Sequence, residues 1–245
     1  MSFFVPLGDC RFRATEHTAG PWDPRHQHAG PPSALLAGAL DSREDMVLAR
    51  ITLEILAPVP IGEVEVVTHV ERPGRSVELL SGELRVDGRP LVTARAWRMK
   101  RSPVRVAPAY VPPSLPGPQE DDFGEFGYAR AIEFRYSTGG WRELGPAQVW
   151  TRLRVPVVEG EEPSPLQRVM VVADSGNGVS AALEWAGHVF INTELSVHFL
   201  RPPEGEWVCL DARTEVEQAG LATSVLSDRT GPVARGAQSL FVATR

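Results

Sequence analysis

Alternation between apolar and polar residues is the dominant pattern along this chain. It runs through seven segments, and a period of two predicts half-buried antiparallel strands. The segments are residues 64–71, 76–86, 90–100, 195–200, 207–216, 221–227 and 233–243. The Asp87-Gly88 pair follows the second of them, and Asp-Gly is a strong signal for a two-residue hairpin turn. The pattern therefore predicts a chain built mainly of antiparallel sheet.

Two apolar segments predict helices instead. In the first half, Pro31 and Pro32 suit a helix N-terminus, and residues 34–40 are apolar nearly all round. A helix with no polar face must be buried on most sides. In the second half, residues 174–182 predict the opening of a similar helix, which would run to Trp185.

The order of these elements occurs twice in the chain. His28 and Asp174 lie 146 residues apart, each at the entrance of a predicted helix. Gly62 and Gly205 lie 143 residues apart, each before a predicted strand. A repeat of this length predicts one module that has been duplicated and fused, in which each copy buries its own core.

A proline-rich stretch separates the two copies. Residues 102–119 contain six prolines, which remove backbone donors and block regular helix or central strand. We therefore predict an N-terminal module at residues 1–103, a linker at 104–127 and a C-terminal module at 128–245. One buried helix wrapped by a long antiparallel sheet in each module makes the predicted fold class α+β.

Composition narrows the class of protein. The formal charge of −6 at pH 7 argues against nucleic-acid binding, because phosphate neutralisation needs clustered Lys and Arg. No segment approaches the roughly 18 apolar residues that span a bilayer, and residues 1–9 lack the basic leader of a signal peptide. Cys10 and Cys209 make no disulfide framework. We expect a cytoplasmic protein that binds neither nucleic acid nor membrane.

Four motifs carry a resemblance to a known family. They are residues 27–36 (QHAGPPSALL), Ala173-Asp174, residues 192–202 (NTELSVHFLRP) and residues 236–239 (GAQS). In this order and spacing they resemble the TesB-like acyl-CoA thioesterases, and the resemblance covers nearly the whole chain. It implies a double hot-dog fold and an acyl-CoA substrate. It also implies hydrolysis of the thioester to free acid and CoA by an Asp-activated water, without a cofactor.

Asp174 is the candidate base. A carboxylate held against a water molecule accepts its proton, and such catalysis accelerates a reaction by about 10² to 10⁴. Gly176, Asn177 and Gly178 are candidates for binding the substrate, because glycines let backbone amides approach the thioester oxygen closely. The alternative role for Asp174 is a helix N-cap, a common position for Asp. The resemblance favours the catalytic role.

Gln238 is a second candidate for the catalytic site. Alternation places it on a strand face that is otherwise small or apolar, where a buried amide needs hydrogen-bonding partners. A neutral amide can orient a water molecule through its donor and its acceptor. The alternative is a Gln side chain that neighbouring backbone satisfies, and the resemblance favours the first role.

The third catalytic position is open between Asn192 and Thr193. The resemblance implies a hydroxyl residue early in the strand that leads to Arg201-Pro202, and counting back from that pair gives Asn192, which has no hydroxyl. Alternation instead places Thr193 on the apolar face of Leu195. Either side chain can hydrogen-bond a water molecule, and the motif spacing favours Asn192.

The two copies differ where the chemistry is expected. At the positions of Asp174 and Gln238, the first copy has His28 and Trp97. We therefore expect the second half to hold the chemistry, and the first half, with His28 and Gly30 at its helix entrance, to complete the substrate pocket. The tryptophans are expected to pack cores.

Other functions are compatible with the same residues. Asp23 and His26 resemble the Asp and His pair of hot-dog enoyl-CoA hydratases. A non-catalytic binder of acyl thioesters or lipids is also open, because Asn192 replaces the expected hydroxyl. His26 and His28 have a spacing that metal ligands use, but the sequence fixes no third ligand, so no metal is expected. Homodimerisation by sheet pairing is left open.

Overall fold

The computed structural model describes residues 1–43, 45–119 and 123–245. Its dominant feature is one sheet of thirteen strands, in which all strand pairs are antiparallel. One helix packs against the strands of the first half, and a second helix packs against strands of the second half. No helix within these ranges is long and apolar enough to cross a membrane.

The elements follow one another in a similar order in the two halves. The first half contains β1 (Phe4–Gly8), β2 (Arg11–Ala14), α1 (Gly30–Leu40), β3 (Met46–Ile55), β4 (Glu63–Arg72), β5 (Val77–Val86) and β6 (Arg89–Lys100). The second half contains α2 (Gly127–Arg130), β7 (Ile132–Thr138), β8 (Ala147–Leu153), α3 (Pro165–Ala173), α4 (Gly176–Val179), β9 (His188–Asn192), β10 (Glu194–Phe199), β11 (Val208–Val216), β12 (Gly220–Asp228) and β13 (Gly231–Thr244).

The strand order places the two halves side by side in the sheet. The order is β1-β2-β4-β5-β6-β3-β10-β13-β12-β11-β8-β7, and β9 also pairs with β13. At the junction of β3 and β10, Ile51 lies opposite Val197, and the hydroxyls of Thr52 and Ser196 are 3.1 Å apart. Each half packs its own buried helix against antiparallel strands. The predicted α+β double hot-dog class is therefore confirmed.

The two outermost strands of the sheet have covered edges. In β1, the N–H of Phe4 donates to Val157 O at 2.9 Å, and Phe4 O accepts from the N–H of Glu159 at 2.9 Å. In β7, the N–H of Tyr136 donates to Gln119 Oε1 at 2.7 Å, and Tyr136 O accepts from Gln119 Nε2 at 2.8 Å. Residues outside the strands therefore satisfy backbone groups that a sheet edge would expose.

Alternation correctly predicts seven of the thirteen strands, but it does not identify β1, β2, β3, β7, β8 or β9. The seven predicted strands are confirmed as β4, β5, β6, β10, β11, β12 and β13, with ends that differ by one or two residues. Asp87 and Gly88 form the predicted two-residue turn between β5 and β6, with φ values of 50° and 77°. Positive φ at both positions is what a type I′ turn requires. The predicted helix in the first half is confirmed as α1.

The predicted helix at residues 174–182 is wrong. The buried helix of the second half is α3, which lies earlier in the chain, and α4 is a single turn. Ser164 Oγ accepts from the N–H of Gln167 at 3.2 Å, and Gln167 Oε1 accepts from the N–H of Ser164 at 2.9 Å. This capping box fixes the start of α3. Asp174 therefore follows a helix, whereas His28 precedes one.

The two buried helices pack antiparallel at close range. A Cβ atom at Gly30, in the first turn of α1, would lie 2.1 Å from Val171 O, near the end of α3. A Cβ atom at Gly38, near the end of α1, would lie 2.5 Å from Gln167 Nε2 in the first turn of α3. Glycine at both positions lets the helices approach each other. This contact brings the start of α1 next to the end of α3.

The proline-rich segment runs along the second half. Residues 102–119 contain no helix or strand, and Pro116 O accepts from Arg135 Nη1 of β7 at 3.0 Å. Residues 120–122 of the predicted linker lie outside the described residues. The predicted module boundaries at residues 103 and 128 stay a proposal.

Candidate active site

A cavity of about 420 Å³ lies where the two halves meet beside the α1–α3 contact. The first half lines it with residues 20–23, 26–29 and 55–59. The second half lines it mainly with aromatic residues, with the segment that follows α3 and with residues 191–193. Neither half forms this cavity without the other.

Asp174 is the carboxylate at the centre of a buried hydrogen-bonding network in this cavity. Its surface is 3% exposed. Asp174 Oδ1 accepts from Asn192 Nδ2 at 2.8 Å and from Gln238 Nε2 at 3.3 Å, and Oδ2 lies 3.1 Å from His28 Nδ1. A buried carboxylate needs such partners to offset its lost hydration. The structure thus brings four of the predicted site residues together.

His28 reaches Asp174 from the first half of the chain. Its ring stacks on Tyr128, with centroids 3.8 Å apart and planes within 2°. Nδ1 also lies 3.1 Å from the N–H of Gly30, so it donates to Asp174 when it carries the proton and accepts from Gly30 when it does not. Burial lowers the pKa of His28 and outweighs the Asp174 carboxylate, which raises it. The ring is therefore neutral at pH 7.

The expected equivalence of His28 and Asp174 as matching positions of the repeat is wrong. His28 precedes α1 and Asp174 follows α3. Because the two helices run antiparallel, the start of one meets the end of the other. His28 and Asp174 are therefore partners in one site, not counterparts in two sites.

Gln238, on β13 of the sheet, holds Asp174 in place by hydrogen bonds. Its surface is 2% exposed, and it does not belong to the described residues that line the cavity. Nε2 donates to Asp174 O at 3.0 Å as well as to Oδ1, and Oε1 accepts from the N–H of Asn177 at 3.1 Å. Gly176 has no room for a side chain, because a Cβ there would lie 2.8 Å from Gln238 Oε1. This geometry corresponds to the alternative in which neighbouring groups satisfy the amide.

Asn192, and not Thr193, lies beside Asp174. Asn192 is buried and its Nδ2 donates to the carboxylate, whereas Thr193 is exposed and its Oγ1 donates to Ser239 O at 3.4 Å. Both residues line the cavity. The prediction from motif spacing therefore agrees with the structure, and the prediction from alternation does not.

A β-bulge explains why alternation fails at this point. Asn192 of β9 lies opposite Leu240 of β13, and Ser196 of β10 lies opposite Ala237 of β13. The β9–β10 segment therefore holds one residue more than the stretch of β13 that it faces. One extra residue exchanges the two faces of a strand, and it turns Asn192 to the buried side.

Only part of the predicted substrate-binding set reaches the cavity. Asn177, Gly178 and His28 line it, whereas Gly176 and Gly30 do not belong to the described lining. The N–H of Asn177 is engaged by the sheet. The N–H of Gly178 donates to no backbone carbonyl of the described residues. Gly178 thus combines a place in the cavity lining with an N–H that has no backbone acceptor among the described residues.

Tyr128 and Ser175 form a hydrogen-bonded pair beside the network, and sequence reasoning assigned neither to the site. Tyr128 Oη donates to Val171 O at 2.9 Å and bonds Ser175 Oγ at 2.7 Å. Burial raises the pKa of Tyr128 far above its usual value, so the phenol stays protonated. The contact of Tyr128 with His28 crosses between the halves. No periodicity or local motif could reveal it.

Three tryptophans line the cavity, contrary to the expectation that the tryptophans pack cores. They are Trp22, Trp141 and Trp185. The ring centroid of Trp185 lies 4.9 Å from that of Trp22 and 5.0 Å from that of Trp141. Trp150, by contrast, is buried in a separate core cluster. Side-chain type alone did not distinguish these two environments.

Asp23 and His26 line the same cavity in a different electrostatic setting. Asp23 Oδ2 lies 3.4 Å from His26 Nδ1 and 2.7 Å from Arg25 Nη2. Hydrogen bonds from Arg25 hold the pKa of Asp23 well below its usual range. Asp23 is thus paired with a guanidinium, whereas Asp174 is held by amides and a neutral imidazole.

Family models match both halves of the chain. Residues 18–99 match the model of an acyl-CoA thioesterase N-terminal domain, and residues 105–242 match the model of an acyl-CoA thioesterase C-terminal domain. A comparison with curated proteins finds no significant match.

Solved structures share the whole fold at low sequence identity. A hot dog fold protein of unknown function from Alicyclobacillus acidocaldarius is similar with a TM-score of 0.77 and 15% identity, over 98% of this chain and 96% of that chain. The tesB protein of Mycobacterium avium subs paratuberculosis gives 0.69 and 17%, over 98% and 96%. The acyl-CoA thioesterase II TesB2 from Mycobacterium marinum gives 0.68 and 14%, over 99% and 94%. At these identities the likeness establishes the fold.

Proposed function

This chain belongs to the acyl-CoA thioesterase family of thioester hydrolases, and we propose that it hydrolyses an acyl-CoA to free acid and CoA with Asp174 as general base. The observation that carries this proposal is a buried carboxylate, held by three side chains, in a largely apolar cavity. Asn192 and Gln238 both bond Oδ1. Oδ2 then has a lone pair for water beside its contact with His28.

The proposed reaction needs no covalent bond between enzyme and substrate. Asp174 accepts a proton from water as the water oxygen forms a bond to the thioester carbon, and the carbonyl oxygen becomes an oxyanion. The oxyanion then collapses, the C–S bond breaks, and the proton passes from Asp174 to the CoA sulfur. Hydrogen bonds from Asn192 and Gln238 hold the carboxylate in one orientation.

The N–H of Gly178 is the proposed donor to the oxyanion. It lies four residues after the base, lines the cavity and has no backbone acceptor in the described part of the chain. A preorganised donor of this kind contributes about 3 kcal/mol to transition-state stabilisation in a well-studied enzyme. Gln238 acts here as a positioning residue, because it contacts Asp174 and Asn177 and not the cavity.

The test is thiol release from a panel of acyl-CoA substrates. Asp174→Asn keeps an acceptor for Asn192 and Gln238 but removes the base, so we expect kcat to fall by about 10² to 10⁴ with the far-UV circular dichroism unchanged. Asp23→Asn is the matched control, since Asp23 is a second carboxylate in the same cavity. It should keep activity within a few-fold. Undiminished thiol release by Asp174→Asn would exclude Asp174 as the base.

The same panel separates the other candidate functions. The contact between Asp23 and His26 inside the cavity is the observation that favours hydration of an enoyl thioester. Hydration removes the enoyl absorbance without releasing thiol. If the protein is a hydratase, Asp23→Asn should abolish this loss of absorbance. A non-catalytic binder would bind acyl-CoA tightly without turnover at any chain length.

A further inference from the structure

The interior of the cavity is walled by aromatic rings, and we infer from this wall that the preferred acyl group carries an aromatic ring close to its thioester carbonyl. The inference rests on the proposed function, because it names the substrate class of the same site. Trp22, Trp185, Trp141 and Phe123 form a connected series that lines the cavity. Consecutive centroids in this series lie 4.9, 5.0 and 4.3 Å apart.

Aromatic rings of the cavity come close to the reacting groups at two places. A Cβ atom on Gly178, the proposed oxyanion donor, would lie 4.0 Å from the ring of Trp185. Phe126, which also lines the cavity, lies 6.1 Å from Trp141 and 6.4 Å from Tyr128, whose ring stacks on His28. A group bonded one or two carbons from the carbonyl therefore lies against aromatic surface.

Three residues of the cavity lining are largely exposed. Leu56 is 57% exposed, Ile191 is 38% exposed and Phe241 is 60% exposed, so they border the solvent and suit the carrier arm. The four rings of the aromatic wall are partly or fully buried, and Val59 is a buried aliphatic residue of the same lining. An enclosed acyl group therefore has the aromatic wall as a large part of its surroundings.

Aromatic walls discriminate between acyl groups of equal carbon number. The neighbouring rings of the wall are tilted by 34°, 42° and 46° relative to one another rather than stacked flat. A phenyl group gains edge-to-face contacts with such surfaces, which corresponds to roughly two- to tenfold in affinity beyond the effect of buried area. A straight alkyl chain gains buried area only and loses rotamer freedom when it is enclosed.

The experiment compares three substrates with the same number of acyl carbons: phenylacetyl-CoA, cyclohexylacetyl-CoA and octanoyl-CoA. We expect kcat/KM for phenylacetyl-CoA to exceed that for cyclohexylacetyl-CoA by about two- to tenfold, and octanoyl-CoA to be the poorest of the three. A kcat/KM for phenylacetyl-CoA that is equal to or lower than that for cyclohexylacetyl-CoA would overturn the inference. Such a result would leave the thioesterase proposal intact.

Binding keeps the inference testable if no substrate is hydrolysed. Thioether analogues of the three acyl-CoAs cannot be cleaved, and calorimetry then measures their dissociation constants. The phenyl analogue should bind about two- to tenfold more tightly than the cyclohexyl analogue. If the phenyl analogue binds more tightly but no substrate is hydrolysed, only the proposed hydrolysis is overturned. If the cyclohexyl analogue binds more tightly, the inferred preference for an aromatic acyl group is overturned.

Two variants locate the preference on the aromatic wall. Trp141→Leu, and independently Trp22→Leu, should reduce the ratio of phenylacetyl-CoA to cyclohexylacetyl-CoA towards one. Leu56→Ala is the control, because Leu56 is an aliphatic residue of the same cavity. It should lower activity on all three substrates by a similar factor. An unchanged ratio in both tryptophan variants would overturn the assignment.

Discussion

His28 and Asp174 show how one buried contact links protonation to both stability and chemistry. The imidazole has lost most of its hydration, and the stack on Tyr128 leaves little room for the ring to move. A protonated imidazole would have to carry its charge in a buried site. The folded protein therefore resists protonation of His28.

This resistance predicts a pH-dependent stability. The folded-state pKa of His28 lies below its ordinary value of 6.5, so as the pH falls below about 6.5 the unfolded chain takes up a proton that the folded chain does not. The free energy of unfolding should then decrease by up to about 1.4 kcal/mol per pH unit, until the folded-state pKa is reached. Urea denaturation between roughly pH 7.5 and 5 measures this slope.

His28→Phe isolates the contribution of His28. Phenylalanine keeps a ring to stack on Tyr128 and has no titrating group. In this variant the free energy of unfolding should therefore depend less on pH, by the amount that His28 contributes. His198→Phe is the matched control, because His198 is an exposed histidine on β10. Identical slopes for the wild-type protein and His28→Phe would contradict the role of His28.

Single residues of the site were predictable where a local pattern pointed to them. Gln238 stands out as a lone amide on a small or apolar strand face, whereas Asn192 is indicated by the family resemblance together with its distance from Arg201-Pro202. The hydrogen bonds of Asp174 with these residues join elements that are distant in sequence. The contact between His28 and Tyr128 depends on how the two halves pack. Such tertiary packing does not produce a periodic pattern of residues in the sequence.

At the scale of elements, the close approach of α1 and α3 positions His28 relative to Asp174. Gly30→Ala would put a methyl group at 2.1 Å from Val171 O, so the helices would have to separate. We expect a loss of about 1–3 kcal/mol in the free energy of unfolding, as for other overpacked cores, together with lower thiol release. Urea denaturation and the acyl-CoA assay measure the two effects.

Gly62→Ala provides the comparison for Gly30→Ala. A Cβ atom at Gly62 meets nothing within 4 Å, and its φ is not positive. Alanine there should leave the protein as stable as before or stabilise it by about 0.4–1 kcal/mol, because it restricts the unfolded chain. If both variants lower the free energy of unfolding equally, the close approach of α1 and α3 is not the cause of the loss in Gly30→Ala.

The same two helices mark the limit of pattern-based prediction of elements. α1 was predictable because it is apolar nearly all round and begins with two prolines. α3 contains Val169, Val171 and Val172, and β-branched residues favour strands over helices. Its helical state depends on the Ser164 capping box and on burial against α1. The second of these is a tertiary effect that the local sequence does not contain.

At the scale of the whole molecule, the two halves share one sheet and one core. β3 and β10 pair along five residues, and the main hydrophobic cluster contains residues of both halves. We therefore predict a single unfolding transition for the full chain. Far-UV circular dichroism and tryptophan fluorescence should give coincident curves in urea. Two separated transitions would show that the halves unfold independently. That result is expected if the modules bounded at residues 103 and 128 are each stable alone.

The covered edges of the sheet have a consequence for self-association. A free edge strand is a template on which another chain can add a strand, and this is a common start of aggregation and of amyloid growth. Here residues 157–159 bond β1 and the side chain of Gln119 bonds β7, at the two ends of the strand order. These contacts engage backbone groups of the two terminal strands, which lowers the capacity of those strands to pair with a strand of another chain.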